Sequence, residues 1–373
     1  MDRPIRVLHV LGRLDRGGTE TLIMNIYRNI DRSKIQFDFL IHTKDECDYS
    51  SEIRGLGGKI YSISRYNVKN HFNYKKQWKE FLSNKEYSII HGHLRTTASI
   101  YLNIARKRGI YTIAHSHSTA SRGNMSERLI KGILQFRLRY VANYYFACSD
   151  EAGRWLFGRK IIQSKRYQIL KNAIDLSSYK YDENIRNNLR ANIGVYNNFV
   201  IGHVGSFTFP KNHKFLLELF KEYLKVNNNA ILILVGTGEL KEEIKSTSRY
   251  LGIEEHLILT GSVSNVNEYM QAMDCFVFPS IFEGLGIALV EAQATGLPCI
   301  VSDNIPNEAL MTDNVKKLSL NQPSVEWIRQ IVDVSDKKIN RNLQFKKVQE
   351  NGYDIKNVSS YLMDFYIKVL NEG

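Results

Sequence analysis

CFVFPSIFEGLGIALVEAQATGLPCIVSD, residues 275–303, reads as a strand, a glycine loop, a helix and a second strand. Cys275–Phe278 is a short apolar run that Pro279 ends, because proline has no N–H to give a ladder. Glu283-Gly284-Leu285-Gly286 follows as a loop. A helix then runs from Ile287 to about Thr295, and Gly296 and Pro298 stop it before the next strand, Cys299–Ser302. Two short apolar strands joined through a helix make a βαβ unit, which implies a parallel sheet covered by helices.

The same rhythm extends outward in both directions. Upstream lie strand-like runs at Phe199–Val204, Ile231–Val235 and Leu257–Thr260. Before a polar stretch at Asp175–Asn198, which holds a short helical pattern at Glu183–Asn192, the rhythm occurs a first time. Its strands are Ile5–Leu11, Phe37–Ile41, Lys59–Ile63, Ser88–His91, Tyr111–His115, Tyr144–Ala147 and Gln168–Leu170. Helical stretches such as Thr19–Arg28, Tyr74–Leu82 and Ala98–Arg108 lie between them. The expected fold is α/β, with two Rossmann-like domains at 1–180 and 181–355 and a closing helix at 356–373.

A length of 373 residues with 43% hydrophobic and 24% charged residues suits two ordinary domains. No run approaches the roughly 20 apolar residues of a membrane span. The N-terminal run reads as a strand rather than a signal peptide. Cys47, Cys148, Cys275 and Cys299 show no metal-like or redox-like spacing, which suits reduced thiols in the cytoplasm. The charge is uneven: residues 1–180 hold 32 Lys and Arg against 15 Asp and Glu, whereas the whole chain is +13. All of the basic excess therefore sits in the first half, which would be drawn to anionic surfaces. Ser126–Tyr145 mixes Arg128, Lys131, Arg137 and Arg139 with Leu129, Ile130, Ile133, Leu134, Phe136 and Leu138, as in a basic amphipathic helix that lies on a membrane. Charge alone would also allow nucleic acid, but no stacking motif or recognisable module supports it, so nucleic acid is not an expected partner.

Three further loops sit at the carboxyl ends of expected strands, where open α/β sheets bind ligands. Gly17 and Gly18 precede an amphipathic helix, whose free N–H groups and positive dipole end suit an anion. Gly205 and Ser206 end the first strand of the second half, and Lys211 stands at the mouth of the next helix, where it can neutralise a diphosphate. Gly236 and Gly238 open the loop after that. Glu283 and Glu291 flank the quoted loop from one segment, so hydroxyl binding suits them better than the facing acid/base pair of a glycoside hydrolase.

The quoted segment resembles the E-x7-E signature of retaining GT-B glycosyltransferases of the GT4 family. So do RLDRGGTE, IIHGHLRT, IAHSHS, FACSD, ILKNAID, VGSFTFPKN and LVGTGEL along nearly the whole chain. The resemblance is strongest to transferases of bacterial capsule and exopolysaccharide clusters. It implies two domains facing each other across a cleft, the first binding the acceptor and the second the donor. It assigns Glu283 to the donor sugar hydroxyls, Glu291 to the ribose diol and Lys211 to the diphosphate. Gly17 and Gly18 would meet the phosphates from the other domain, and the amides of Gly284, Leu285, Gly286 and Ile287 would lie near sugar and phosphate. His117 corresponds to the family's histidine beside the reacting sugar, with His115 as the alternative. Two positions depart from the family: Ser206 replaces a phosphate-binding arginine, and Ala173 replaces the glycine of N-G-[IV]-D.

The activity so implied is retaining transfer of a hexose or N-acetylhexosamine from a UDP-sugar to a lipid-linked or oligosaccharide acceptor. The enzyme would work at the inner face of the cell membrane. No Asp-x-Asp motif is present, so no metal or other cofactor is expected to be required. The rival readings are a nucleotide-sugar epimerase and a non-catalytic companion of a true transferase.

Overall fold

The computed structural model describes residues 4–117, 125–335 and 340–372, with 125–131 described by backbone alone. The chain divides into two compact units, Met1–Ile174 with Asp354–Gly373, and Asp175–Tyr353. This differs from the expected division. The first unit ends at Ile174 rather than at 180, and the helix expected as a separate closing element belongs to that unit. Burial is the reason: helix Ile355–Asn371 places Val358, Leu362, Phe365 and Tyr366 in one apolar cluster with Val7, Ile89, Ile113 and Phe146. Ile355 N also donates to Ile174 O at 3.0 Å, tying the returning chain to its point of departure.

The first unit carries seven strands: β1 Ile5–Val10, β2 Ile35–Ile41, β3 Ile60–Ser62, β4 Ile89–Gly92, β5 Tyr111–Ser116, β6 Tyr144–Ala147 and β7 Tyr167–Ile169. They form one parallel sheet in the order β3-β2-β1-β4-β5-β6-β7. Every residue of β2 is buried, as a strand covered on both faces requires. Side chains alternate between the two helical layers. Leu8 and Val10 enter one apolar cluster and Val7 the other, so His9, two residues on from Val7, shares the Val7 face.

The second unit carries β8 Phe199–Val204, β9 Ala230–Val235, β10 Leu257–Gly261, β11 Cys275–Phe278, β12 Cys299–Ser302 and β13 Val315–Leu318. Its parallel order, β10-β9-β8-β11-β12-β13, repeats that of the first unit up to its sixth strand. In both sheets the order reverses beside the first strand, between β1 and β4 and between β8 and β11. Connections leave in opposite directions there and open a crevice at the strand ends. Asp274 fastens the start of this unit: it accepts from Arg186, from Arg190 at 3.0 Å and from Val200 N at 2.8 Å.

Among the described residues no helix is long and apolar enough to cross a membrane. All four cysteines are buried and unbridged. The segment expected as one amphipathic helix to Tyr145 is a helix at Met125–Leu138, after which Tyr144 and Tyr145 enter β6. Leu134 and Leu138 are buried, while Ile133, Phe136 and Tyr140 are 55%, 53% and 64% exposed. The side chains of Arg128, Leu129, Ile130 and Lys131 lie outside the described residues.

Candidate active site

In the second unit the reversal point gathers the expected donor residues. Phe209–Lys211 forms a single 3-10 turn, and Asn212 then adopts left-handed backbone (φ 56°) before helix His213–Tyr223. Asn212 Nδ2 donates to Pro279 O at 3.1 Å and Ile281 N to Pro210 O at 2.8 Å, so the loops after β8 and β11 are tied together. That tie brings Lys211 Nζ to 2.5 Å from Glu283 Oε1, with the ammonium 4.7 Å from the centre of the Phe278 ring. Ser280 Oγ donates to the same carboxylate oxygen at 2.8 Å. Glu283 therefore does not cap the helix that follows.

Gly286 provides the N-terminus of helix Ile287–Ala294 in left-handed backbone (φ 79°), and no side chain caps the turn. A Cβ at Gly286 would be strained and would come within 3.1 Å of Phe278. Ala288, Leu289 and Val290 are buried, so the helix is anchored by its apolar faces while its first N–H groups remain uncommitted to a side chain. Leu285 is buried at 3% exposure and serves the core beneath the loop. Glu291 is partly buried, and Tyr179 OH donates to its Oε1 at 2.8 Å. Loss of water pushes the Glu291 carboxyl up to about 7, against the smaller opposing effect of the Tyr179 hydrogen bond.

Gly205 closes β8 beneath Lys211, and Ser206 is exposed beside Thr208. Gly236 and Gly238 have a packing role in this structure. Added Cβ atoms would fall 2.0 Å from Gly205 O and 2.5 Å from Phe207 O, so these glycines let the β9 loop lie against the Gly205–Phe207 backbone.

In the first unit Gly17 is the N-cap of helix Gly18–Asn29 and offers no side-chain cap, and the space around a Cβ at Gly18 is open. The structure adds Glu20, whose carboxylate lies 2.6 Å from where a Gly17 Cβ would stand. Burial pushes Glu20 up to about 7. An anion approaching these amides meets a carboxyl group that is readily protonated.

His115 and His117 do not stand alone. His9, His91 and His93 join them at the carboxyl ends of β1, β4 and β5. His93 Nδ1 is 2.9 Å from His117 Nε2, and His93 Nε2 is 3.0 Å from His9 Nδ1. Tyr366 OH and His91 Nδ1 are 2.7 Å apart. Desolvation holds all five below the ordinary histidine range, His9 and His117 to about 3, so all are neutral imidazoles. His117 lies just past the end of β5 and is partly exposed, whereas His115 is 2% exposed. A signal for the cluster was present in the sequence: His91/His93 and His115/His117 are i, i+2 pairs at strand ends, which place both rings on one face.

Residues 16–178 match the family described as Glycosyltransferase Family 4, and residues 185–351 that described as Glycosyl transferases group 1. The chain is 33% identical over 368 residues to the putative glycosyltransferase EpsF of Bacillus subtilis, covering 97% of this chain and 96% of that one. It is 26% identical over 304 residues, 78% of each chain, to an Escherichia coli protein named as a UDP-Gal:alpha-D-GlcNAc-diphosphoundecaprenol alpha-1,3-galactosyltransferase. Its fold matches that of Anabaena HepE, solved in complex with UDP-glucose. The TM-score is 0.79 at 16% identity, over 98% of this chain and all of that one.

Proposed function

This chain belongs to the GT4 glycosyltransferases of the capsule and exopolysaccharide type, and on that premise we propose that it transfers a hexose or N-acetylhexosamine from a UDP-sugar, with retention, to a lipid-linked glycan acceptor. The observation that carries the reading is the Lys211–Glu283 pair beside the uncapped helix Ile287–Ala294, with Glu291 on that same helix. The pair supplies a cation for a diphosphate and a carboxylate for sugar hydroxyls, and Glu291 a second carboxylate for a ribose diol. The E. coli relative is named for a UDP-linked galactose donor and a diphosphoundecaprenol acceptor, which supports the choice of nucleotide and acceptor class.

In the proposed reaction the bond from the anomeric carbon to the β-phosphate oxygen breaks. The acceptor oxygen bonds to the same face of that carbon, and its proton passes to the departing phosphate. Lys211 and the amides of Gly284 to Ile287 balance the charge that grows on the diphosphate, so the leaving group needs no divalent ion. Glu283 orients the sugar hydroxyls. His117, just past the end of β5, would serve the reacting sugar as a hydrogen-bonding group. The exposed Ile133 and Phe136 of helix Met125–Leu138, with exposed Arg137 and with Tyr140 just past the helix end, would seat the first unit on an anionic membrane where a lipid-linked acceptor is presented.

Calorimetry with UDP, GDP and NAD tests the donor half of the proposal. UDP is expected to bind in the micromolar range, about −8 kcal/mol, and Glu291→Ala to weaken it at least tenfold. NMR of the product of a UDP-sugar with an undecaprenyl-diphosphate-linked acceptor then reads the anomeric configuration. Inversion would overturn retention. UDP binding with no turnover on any such acceptor would leave the companion-subunit reading.

A further inference from the structure

We propose that His93, His115 and His117 form a binding site for one divalent transition-metal ion of the zinc class. One ring nitrogen from each can be chosen so that the three lie within 4.8 Å of one another. His115 carries the argument furthest. It is 2% exposed, and neither of its ring nitrogens has a hydrogen-bond partner among the described residues. Burying two nitrogens without hydrogen-bond partners is unfavourable. His117 Nδ1 is unpartnered in the same way. A metal ion turns such lone pairs into ligands.

His93 is the hub of the site. Its Nε2 reaches His9 Nδ1 at 3.0 Å, and its Nδ1 reaches His117 Nε2 at 2.9 Å. With the His93 proton on Nε2 and donated to His9, the Nδ1 lone pair is free to ligate. His9 then fixes the tautomer and ring plane of a metal ligand. Zinc–imidazole bonds of about 2.0–2.1 Å put tetrahedral ligand nitrogens about 3.3 Å apart. The His93–His117 pair therefore needs to open by only a few tenths of an ångström, with the His117 proton moving to Nδ1. His117 is the partly exposed member of the three. Three neutral imidazoles without sulfur or carboxylate suit zinc, copper, nickel and cobalt, and reject magnesium and calcium.

A second grouping, His9, His91 and His93, also satisfies the spacing. It is the weaker one. All three rings are buried, which leaves an ion no route or water, and Tyr366 already holds His91 Nδ1. Because both groupings need His93, the cluster binds one ion rather than two.

The test uses the full chain, freed of any histidine tag, stripped with EDTA and titrated with Co2+ and then Zn2+. Expected are one ion per chain by elemental analysis after desalting, the intense visible bands of four-coordinate cobalt, and displacement of cobalt by zinc. His93→Asn and His115→Asn should each weaken binding at least about 100-fold, and His9→Asn about tenfold. His115→Cys provides a control against misfolding. It should keep the ion and add a thiolate-to-cobalt band in the near ultraviolet. Less than a tenth of an equivalent of zinc on the wild type, or binding unchanged in both asparagine variants, would overturn the site. Calorimetry with UDP reads the transferase proposal separately, so failure of one is distinguishable from failure of the other.

Discussion

Lys211 Nζ and Glu283 Oε1 lie 2.5 Å apart across 72 residues of chain, and neither side chain is more than 16% exposed. In the proposed reaction a diphosphate would compete with this carboxylate for the cation. Lys211→Ala should lower kcat by about 100- to 1000-fold, the scale of removing a donor aimed at developing charge. Steady-state kinetics with a saturating donor reads this. A fall of less than tenfold would remove Lys211 from the leaving-group role.

On the proposed role of Glu291, donor binding would be coupled to pH. Its folded carboxyl sits at about 7 through burial, above its ordinary value of 4.5. The folded state therefore favours the protonated form. That preference stabilises the fold fully below pH 4.5 and is lost as pH rises through 7. A ribose diol donating to the carboxylate demands the ionised form, so UDP affinity should fall as pH drops below about 7. Glu291→Gln should lose that part of the dependence, while titration of UDP itself continues. Tyr179→Phe removes a hydrogen bond that lowers the Glu291 pKa and should move the midpoint upward. Calorimetry between pH 5.5 and 8.5 compares the three proteins, and identical slopes for wild type and Glu291→Gln would sink the assignment.

His117 and the residues proposed to bind the nucleotide belong to different units, which should separate their kinetic signatures. In metal-free buffer, His117→Asn should reduce kcat by about 100-fold, within the usual range for one positioned polar group. It should leave UDP affinity within twofold. A large loss of UDP affinity would mean that His117 supports the fold or the nucleotide rather than the reacting sugar.

The proposed membrane contact makes its own prediction. Ile133→Ser and Phe136→Ser should each weaken binding to vesicles containing anionic lipid by at least tenfold, given about 1.5–3 kcal/mol for burying such a side chain. Raising salt should weaken the wild type further, because Arg137 and its basic neighbours are screened. Flotation at two salt concentrations measures both effects. Equal flotation of wild type and both serine variants would place these side chains outside the contact.

Much of the fold was legible because its strands are buried on both faces and appear as short apolar runs. Phe199–Val204, Cys275–Phe278 and Cys299–Ser302 have the bounds that the run of residues implies. β13 escaped because Val315–Leu318 is an edge strand, with two lysines in four residues and only one side to pair. The split first unit escaped because helical periodicity at 355–371 says that a helix forms, not which sheet it covers. In the candidate site, the glycine loops and the two glutamates stand out in the sequence by their local chemistry. Tyr179 does not: 112 residues separate it from Glu291, and only the folded chain joins them. Glu20 does not stand out in the sequence, because a glutamate in the first turn of a helix is ordinary there, and only its burial makes it unusual.

The return of helix Ile355–Asn371 to the first sheet also orders the birth of the protein. On the ribosome, Asp175–Tyr353 is a continuous stretch that can fold as soon as it has emerged. The first unit is made earlier but finished later. Until residues 354–372 arrive, the surface that will receive Leu362, Phe365 and Tyr366 stays bare, and His91 waits for the Tyr366 hydroxyl. A stretch translated after the second unit thus completes the unit whose translation began before it.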